Sequence, residues 1–203
     1  MKFKLNNVRL SFPHLVTPQV SDKGTASFNC CFLLDPQSDQ WKNLQVSVGE
    51  LAKLTWGDNS EGILKKIATK NNCRFYGDGE EKLDKQGNIY AGYEGMKYVG
   101  AKNPVGGREI LHIVDHLAKQ HPLGSSEYQR LAEQLYGGCY VNAIIQIWAH
   151  KASPKNNMSD GVKATLLAVQ FNAEGGRFGS APEPIDFSAE FAPIKKDLPF
   201  LKD

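Results

Sequence analysis

The sequence predicts a mainly β domain of the α+β class, with helices set between early and late strands and a polar tail after the last strand. Three observations predict it. GCYVNAIIQIWAH (138–150) alternates, with Cys139, Val141, Ala143, Ile145, Ile147 and Ala149 on one face, the period-2 pattern of a strand whose one side is core. TASFNCCFLL (25–34) and VKATLLAVQF (162–171) have the composition of two more strands. Between them the apolar period changes to helical spacing at Trp41, Leu44, Val48 and Leu51.

In chain order, KFKLNNVRL (2–10) is a strand interrupted at Asn6-Asn7, and SFPHLVTPQV (11–20), with two prolines and no sustained period, reads as a loop. After the strand 25–34, Ser38 is placed to cap the first helix, and Gly57-Asp58-Asn59 to break it. Ser60 then caps a second, short helix carrying Ile63, Leu64 and Ile67. The glycine-rich centre (73–107) suits short strands and hairpin loops. SSEYQRLAEQLYGG (125–138) gives one or two helical turns, with Ser126 as cap and Gly137-Gly138 as stop. The strand 138–150, the loop KASPKNNMSDG and the strand 162–171 form the strongest hairpin in the chain. From Ala181 onward, four prolines and sparse apolar residues predict a flexible tail, which divides the chain into a domain of residues 1–180 and a tail of 181–203.

Composition excludes several classes. In 203 residues, 41% are hydrophobic and 23% charged, as in soluble globular proteins, and no apolar run approaches the ~20 residues of a membrane span. The N-terminus alternates lysine with apolar residues and lacks the apolar h-region of a signal peptide, so a cytoplasmic protein is expected. Cys30, Cys31, Cys73 and Cys139 include no CxxC pair and read as free, buried thiols. No P-loop, dinucleotide fingerprint, nucleophile elbow or HExxH occurs. HIVDH (112–116) comes nearest, since on a helix His112 and His116 would share a face. Asp115 is one methylene shorter than the glutamate of an inverted zinc-protease motif, and no third ligand is marked. Neither a metal, a cofactor nor an enzymatic activity is expected.

Two features point to binding. The other face of 138–150 carries Tyr140, Asn142, Ile144, Gln146, Trp148 and His150, too aromatic for plain solvent and too polar for a second core. In the centre, Phe75, Tyr76, Tyr90, Tyr93 and Tyr98 interleave with Arg74, Lys82, Lys85, Lys97 and Lys102. Single-strand binders need π faces for unstacked bases and cations along the phosphates. Tyrosines are also good strand formers that pack a sheet edge, and the residues alone leave both readings open. The charge is uneven. Residues 182–203 hold five acids against three lysines, a net of −2, so the overall +2 leaves +4 on residues 1–181.

YGGCYVNAIIQIWAH followed by DGVKATLLAVQFNAEGGRFG (160–179) resembles the signature of a bacteriophage family of single-stranded DNA-binding proteins, formerly catalogued as a domain of unknown function. VRLSFPHLVTP (8–18), GDGEEK (77–82) and YAGYEGMKYVGAKN (90–103) resemble its N-terminal and central motifs, so the likeness covers most of residues 1–180. The stretch from Gly106 to Tyr136 is longer than the family's loop there.

The resemblance implies an OB-fold, a five-stranded Greek-key barrel with added helices, coating and protecting single-stranded DNA in phage replication, recombination and repair. It also implies a homodimer and a place in the cytoplasm of the infected bacterial host. On that reading Tyr76, Tyr93, Tyr98, Tyr140 and Trp148 stack on bases, and Asn142 and Gln146 reach sugar or base edges. Arg74, Lys97, Lys102, Arg108, Lys151, Lys155 and Lys163 meet phosphates. Asp197, Pro199 and Phe200 resemble the partner-docking end of bacterial single-strand binders, and suggest docking of phage or host replication proteins. The alternative is an OB-like interaction module that recruits such factors without touching DNA, with the Tyr140–Trp148 face covered by protein.

Overall fold

The computed structural model describes residues 1–22, 24–156 and 158–179. Within them the strands are β1 (Lys2–Val20), β2 (Ala26–Leu34), β3 (Tyr76–Asp78), β4 (Lys97–Pro104), β5 (His112–Val114), β6 (Gln120–Pro122), β7 (Tyr140–His150) and β8 (Gly161–Ala173). The helices are α1 (Asp39–Trp56), α2 (Ser60–Ala68) and α3 (Ser126–Ala132). One sheet runs in the order β3-β4-β2-β1-β7-β8-β5-β6.

β1 serves two partners: residues 2–9 pair with β7 and residues 9–20 with β2. It turns between them at register jumps after Leu5, Ser11 and His14, where Asn7 and Phe12 take φ of 50° and 46°. Such bulges bend a strand and raise its twist. SFPHLVTPQV, expected as a loop, is therefore the second half of β1. Its prolines fall between paired positions, where the ladder needs no donor, and each bulge shifts the alternation that would have revealed a strand.

The barrel closes through β4 and β8. They run parallel and share one residue pair, Lys102 with Thr165. Next to it the Asn103 side chain extends the seam, its Nδ2 donating to the Leu166 carbonyl at 2.8 Å and to the Glu109 carbonyl at 3.1 Å. The five strands β4-β2-β1-β7-β8 thus form a closed barrel with OB-fold topology. Leu5, Leu10, Phe32, Val99, Ile145, Ile147 and Leu166 fill it and are fully buried.

α1 packs on β7 with Trp41, Leu44, Val48, Ala52 and Trp56 buried, and Trp56 Nε1 donates to Asp160 Oδ1 at 3.0 Å, just before β8. Ser38 caps α1 as expected, accepting from the Trp41 N–H. Two other caps differ from expectation. A 3-10 turn at Gly57–Asn59 runs directly into α2, so Ser60 is its first helical residue and not its cap. For α3 the cap is Ser125, which accepts from the Tyr128 N–H, and not Ser126. The long stretch before β7 forms the β5–β6 hairpin and α3, with β5 parallel to β8 outside the barrel. His112 is thus on a strand and shares no helical face with His116. Cys30, Cys73 and Cys139 are buried, Cys31 is half-buried, and all four are free.

Ser38→Ala is expected to cost about 1 kcal/mol in urea unfolding. Asn103→Ala, which strands two carbonyls at the seam, is expected to cost about 1–3 kcal/mol. An Asn103→Ala cost below that of Ser38→Ala would mean that the side-chain bonds add nothing to closure.

Candidate nucleic-acid interface

Pleating sorts the side chains around the seam onto two sides. On β4, Val99 and Ala101 are buried in the barrel while Tyr98, Gly100 and Lys102 face outward. On β8, Val162 and Leu166 are buried while Lys163 and Thr165 face outward. On β7, Trp148 pairs with Lys163 in register and lies on the same outer side. These outward residues line an open groove of about 540 Å³ across the seam. A second recess of about 490 Å³ shares Pro104, Trp148 and Thr165 with it and adds Asn103, Arg108 and Gln146. The two form one track past Trp148.

Trp148 is held for this position. Its Nε1 donates to Thr165 Oγ1 at 3.1 Å, and the His150 ring lies 5.4 Å away on its other flank. The indole still keeps 39% of its surface exposed, so the outer face of β7 is not covered in the single chain. Burial comes first, and the nearby Lys163 second, in holding the His150 imidazole below its ordinary pKa.

Cations surround the first groove. Lys82 Nζ sits 4.4 Å over the Tyr98 ring, and Lys102 and Lys163 flank the seam. Lys163 donates to the Asn72 carbonyl, and burial, with Lys102 adding like charge, lowers its pKa. Arg74 is different. Its guanidinium is bound to Glu81 at 2.7 Å and to Asn71 at 2.7 Å, and its side chain is 8% exposed, so most of its charge is already answered inside the protein. Lys82, Lys102, Lys163 and Arg108 have no acidic partner among the described residues.

The sequence pattern of the family described as "Enterobacter phage Enc34, ssDNA-binding protein" matches residues 1–198. The chain belongs to this family. The single-stranded DNA-binding protein of bacteriophage Enc34, solved in complex with ssDNA, superposes with a TM-score of 0.61 at 25% identity, over 88% of this chain and 89% of that one. Protein p50 of Acyrthosiphon pisum secondary endosymbiont phage 1 is 32% identical, over 88% of this chain and 86% of its own length. At 10% identity and a TM-score of 0.53, gp2.5, a single-stranded DNA-binding protein of bacteriophage T7, shares the fold over 95% of each chain.

Within this family's barrel the expected site residues separate. Trp148, Lys102, Lys163, Gln146 and Arg108 are brought together on the track, with Tyr98 as a nearly buried floor and Arg74 paired beside it. Tyr93 is fully buried against Phe12, Tyr90 and Tyr98, which leaves no ring face for a base. Tyr76 packs on Trp41 of α1 at 6.0 Å. Lys97, of barrel-facing parity, pairs with Asp78 and lies over Trp41, so both are on the α1 side. Tyr140 is at the other end of β7 with Arg9 5.6 Å over its ring, and the Asn142 amide is committed to Asn7 and Gln170. Lys151 and Lys155 are exposed on the β7–β8 loop and do not line the track. Asp197, Pro199 and Phe200 lie outside the described residues. Lys82, named with the basic residues of the centre but not among the expected contacts, joins the track, and Asn103 and Thr165 complete it without having been singled out. Thr165 follows from the alternation of β8 beside Lys163, whereas nothing local marks Asn103.

Removal of the Glu81 carboxylate leaves a nearly buried guanidinium without its counter-charge. Glu81→Ala is therefore expected to lower stability by about 1–3 kcal/mol in a thermal melt. An unchanged melting temperature would mean that water already screens the pair.

Proposed function

We propose that this chain coats and protects single-stranded DNA in phage replication, recombination and repair, holding the strand along the track at the barrel seam. The observation that carries this reading is the continuity of four cations without an acidic partner among the described residues, Lys82, Lys102, Lys163 and Arg108, with the exposed, hydrogen-bonded Trp148, in a member of a single-stranded DNA-binding family. Trp148 offers a π face that every base can use, and the cations follow phosphates, so binding tolerates any sequence. The role needs no catalysis and no cofactor. It belongs in the cytoplasm of the infected bacterium.

A homodimer and partner docking through Asp197, Pro199 and Phe200 are further parts of the proposal. So is competition between the acidic tail and DNA for the track. Support for competition comes from where the tail begins. The segment Gly175–Gly179 is strapped back onto the barrel, with Arg9 donating to the Gly176 carbonyl at 2.5 Å and stacking 4.3 Å from the Phe178 ring. Phe178 packs in the same aromatic cluster as Tyr98, the groove floor, which ties the last described residues to that side of the barrel.

Fluorescence anisotropy with labelled oligo-dT and an equal-length duplex, across a salt series, tests the reading. Tight binding of the single strand and weak binding of the duplex are expected. With about 0.7 per phosphate for single strands, four cations give a log–log salt slope of about −2.8. Trp148→Ala should lose about 1–3 kcal/mol, and Lys102→Ala should flatten the slope by about 0.7 where Lys97→Ala leaves it unchanged. No binding to oligo-dT at low salt would overturn the reading. Deletion of residues 182–203 should tighten oligo-dT binding at low salt, and equal affinity would remove the competition.

A further inference from the structure

The second recess differs chemically from the first groove, and the difference rests on one side chain. Asn103 is 3% exposed, and its Nδ2 faces two backbone carbonyls, of Glu109 and Leu166. A carbonyl only accepts, so the atom that meets both must be the amide nitrogen, which fixes the orientation of the group. Its Oδ1 then points away from both. Among the described residues no donor meets that oxygen, it is not one of the sealed, unpartnered side-chain atoms, and Asn103 lines the recess. The seam therefore offers the recess a fixed acceptor.

An acceptor repels a phosphate, whose oxygens also only accept at neutral pH, and it needs an N–H or O–H from a ligand. Gln146, with no partner of its own among the described residues, sits in the same recess and can either donate or accept. Arg108 at the rim supplies a cation for the backbone that leads in. The Watson–Crick edge of a nucleobase carries an N–H together with acceptors, and in a single strand that edge is free.

Resting on the single-stranded DNA reading, we propose that this recess is a base pocket. It takes the Watson–Crick edge of one nucleobase beyond Trp148, with Asn103 Oδ1 accepting a base N–H and the Gln146 amide completing the contact. Phosphates occupy the lysine-lined groove on the other side of the indole. All four bases offer an N–H on that edge, so the pocket selects an unpaired base over a paired one and not one base over another. This gives a second reason for single-strand preference, beside stacking.

The test compares oligo-dT with an oligonucleotide of equal length in which every thymine is N3-methylated. The methyl removes the N–H and leaves phosphates, sugars and ring faces in place. The full-length protein should bind the methylated strand about five- to tenfold more weakly, with an unchanged salt slope and unchanged quenching of Trp148 fluorescence at saturation. Gln146→Leu, which leaves the seam intact, should weaken oligo-dT binding severalfold and narrow the gap between the two strands. Equal affinity for the two strands overturns the pocket while leaving the single-stranded DNA reading standing. A loss accompanied by a flatter salt slope also overturns it, because phosphate contacts would then be what the methyl disturbed. Failure to bind oligo-dT at all removes both.

Discussion

The candidate site of this molecule is arranged around the closure of β4 onto β8. A five-stranded sheet left open would expose two edges of unpaired N–H and C=O groups, and closing it removes them. Here closure is narrow, one residue pair between parallel strands, and the Asn103 side chain supplies a further donor to Leu166 where the backbones have begun to separate. That divergence opens space on the outer surface. The groove and the recess lie on either side of Trp148 because β7, antiparallel to β8, carries the indole to the seam opposite Lys163. Barrel geometry thus sets the spacing between the indole, Lys102 and Lys163, while Lys82 and Arg108 reach the track from connections.

Charge is used in two ways around β4. Lys97, of inward parity, is consumed by Asp78 and by the Trp41 ring, and on the groove side Arg74 is consumed by Glu81 and Asn71. These contacts hold β3 and the turn after it against the barrel. Among the described residues Lys82, Lys102 and Lys163 have no carboxylate to answer them, and they form no ion pair that would contribute to folding. Their value lies in the field they set up over the groove. A formal net charge of only +2 conceals this, because neutralised pairs and the net −2 after residue 181 cancel a local excess.

The sequence reveals this fold wherever alternation is unbroken, and stops where it is not. β7 and β8 could be read side chain by side chain, down to which residues of β7 face outward. β1 could not be read past Ser11, since its bulges change the parity of every residue beyond them. The tyrosines of the centre were a harder case. Composition says that aromatic and basic residues are neighbours in the chain, but not which side of the sheet each occupies: Tyr76 packs on α1, while Tyr93 and Tyr98 share a cluster from which Tyr98 reaches the groove. Asn103 is invisible for a further reason. Its role depends on a partner at Leu166, and a contact between β4 and β8 leaves no local trace in either strand.

In the proposed mode of binding, closure and binding are physically coupled at the seam. Lys102 and Lys163 stand on the two strands that meet there, and the proximity of Lys102 is one cause of the lowered pKa of Lys163, after burial. Like charges across a narrow junction work against it. A polyanion laid along the groove answers both cations at once and changes this repulsion into two attractions that bridge β4 and β8. Any ligand that binds only the closed barrel also stabilises it by mass action, by about 2.7 kcal/mol at a hundred times its Kd. The unliganded protein therefore carries an electrostatic cost at the narrow β4–β8 junction, and a strand bound as proposed removes that cost.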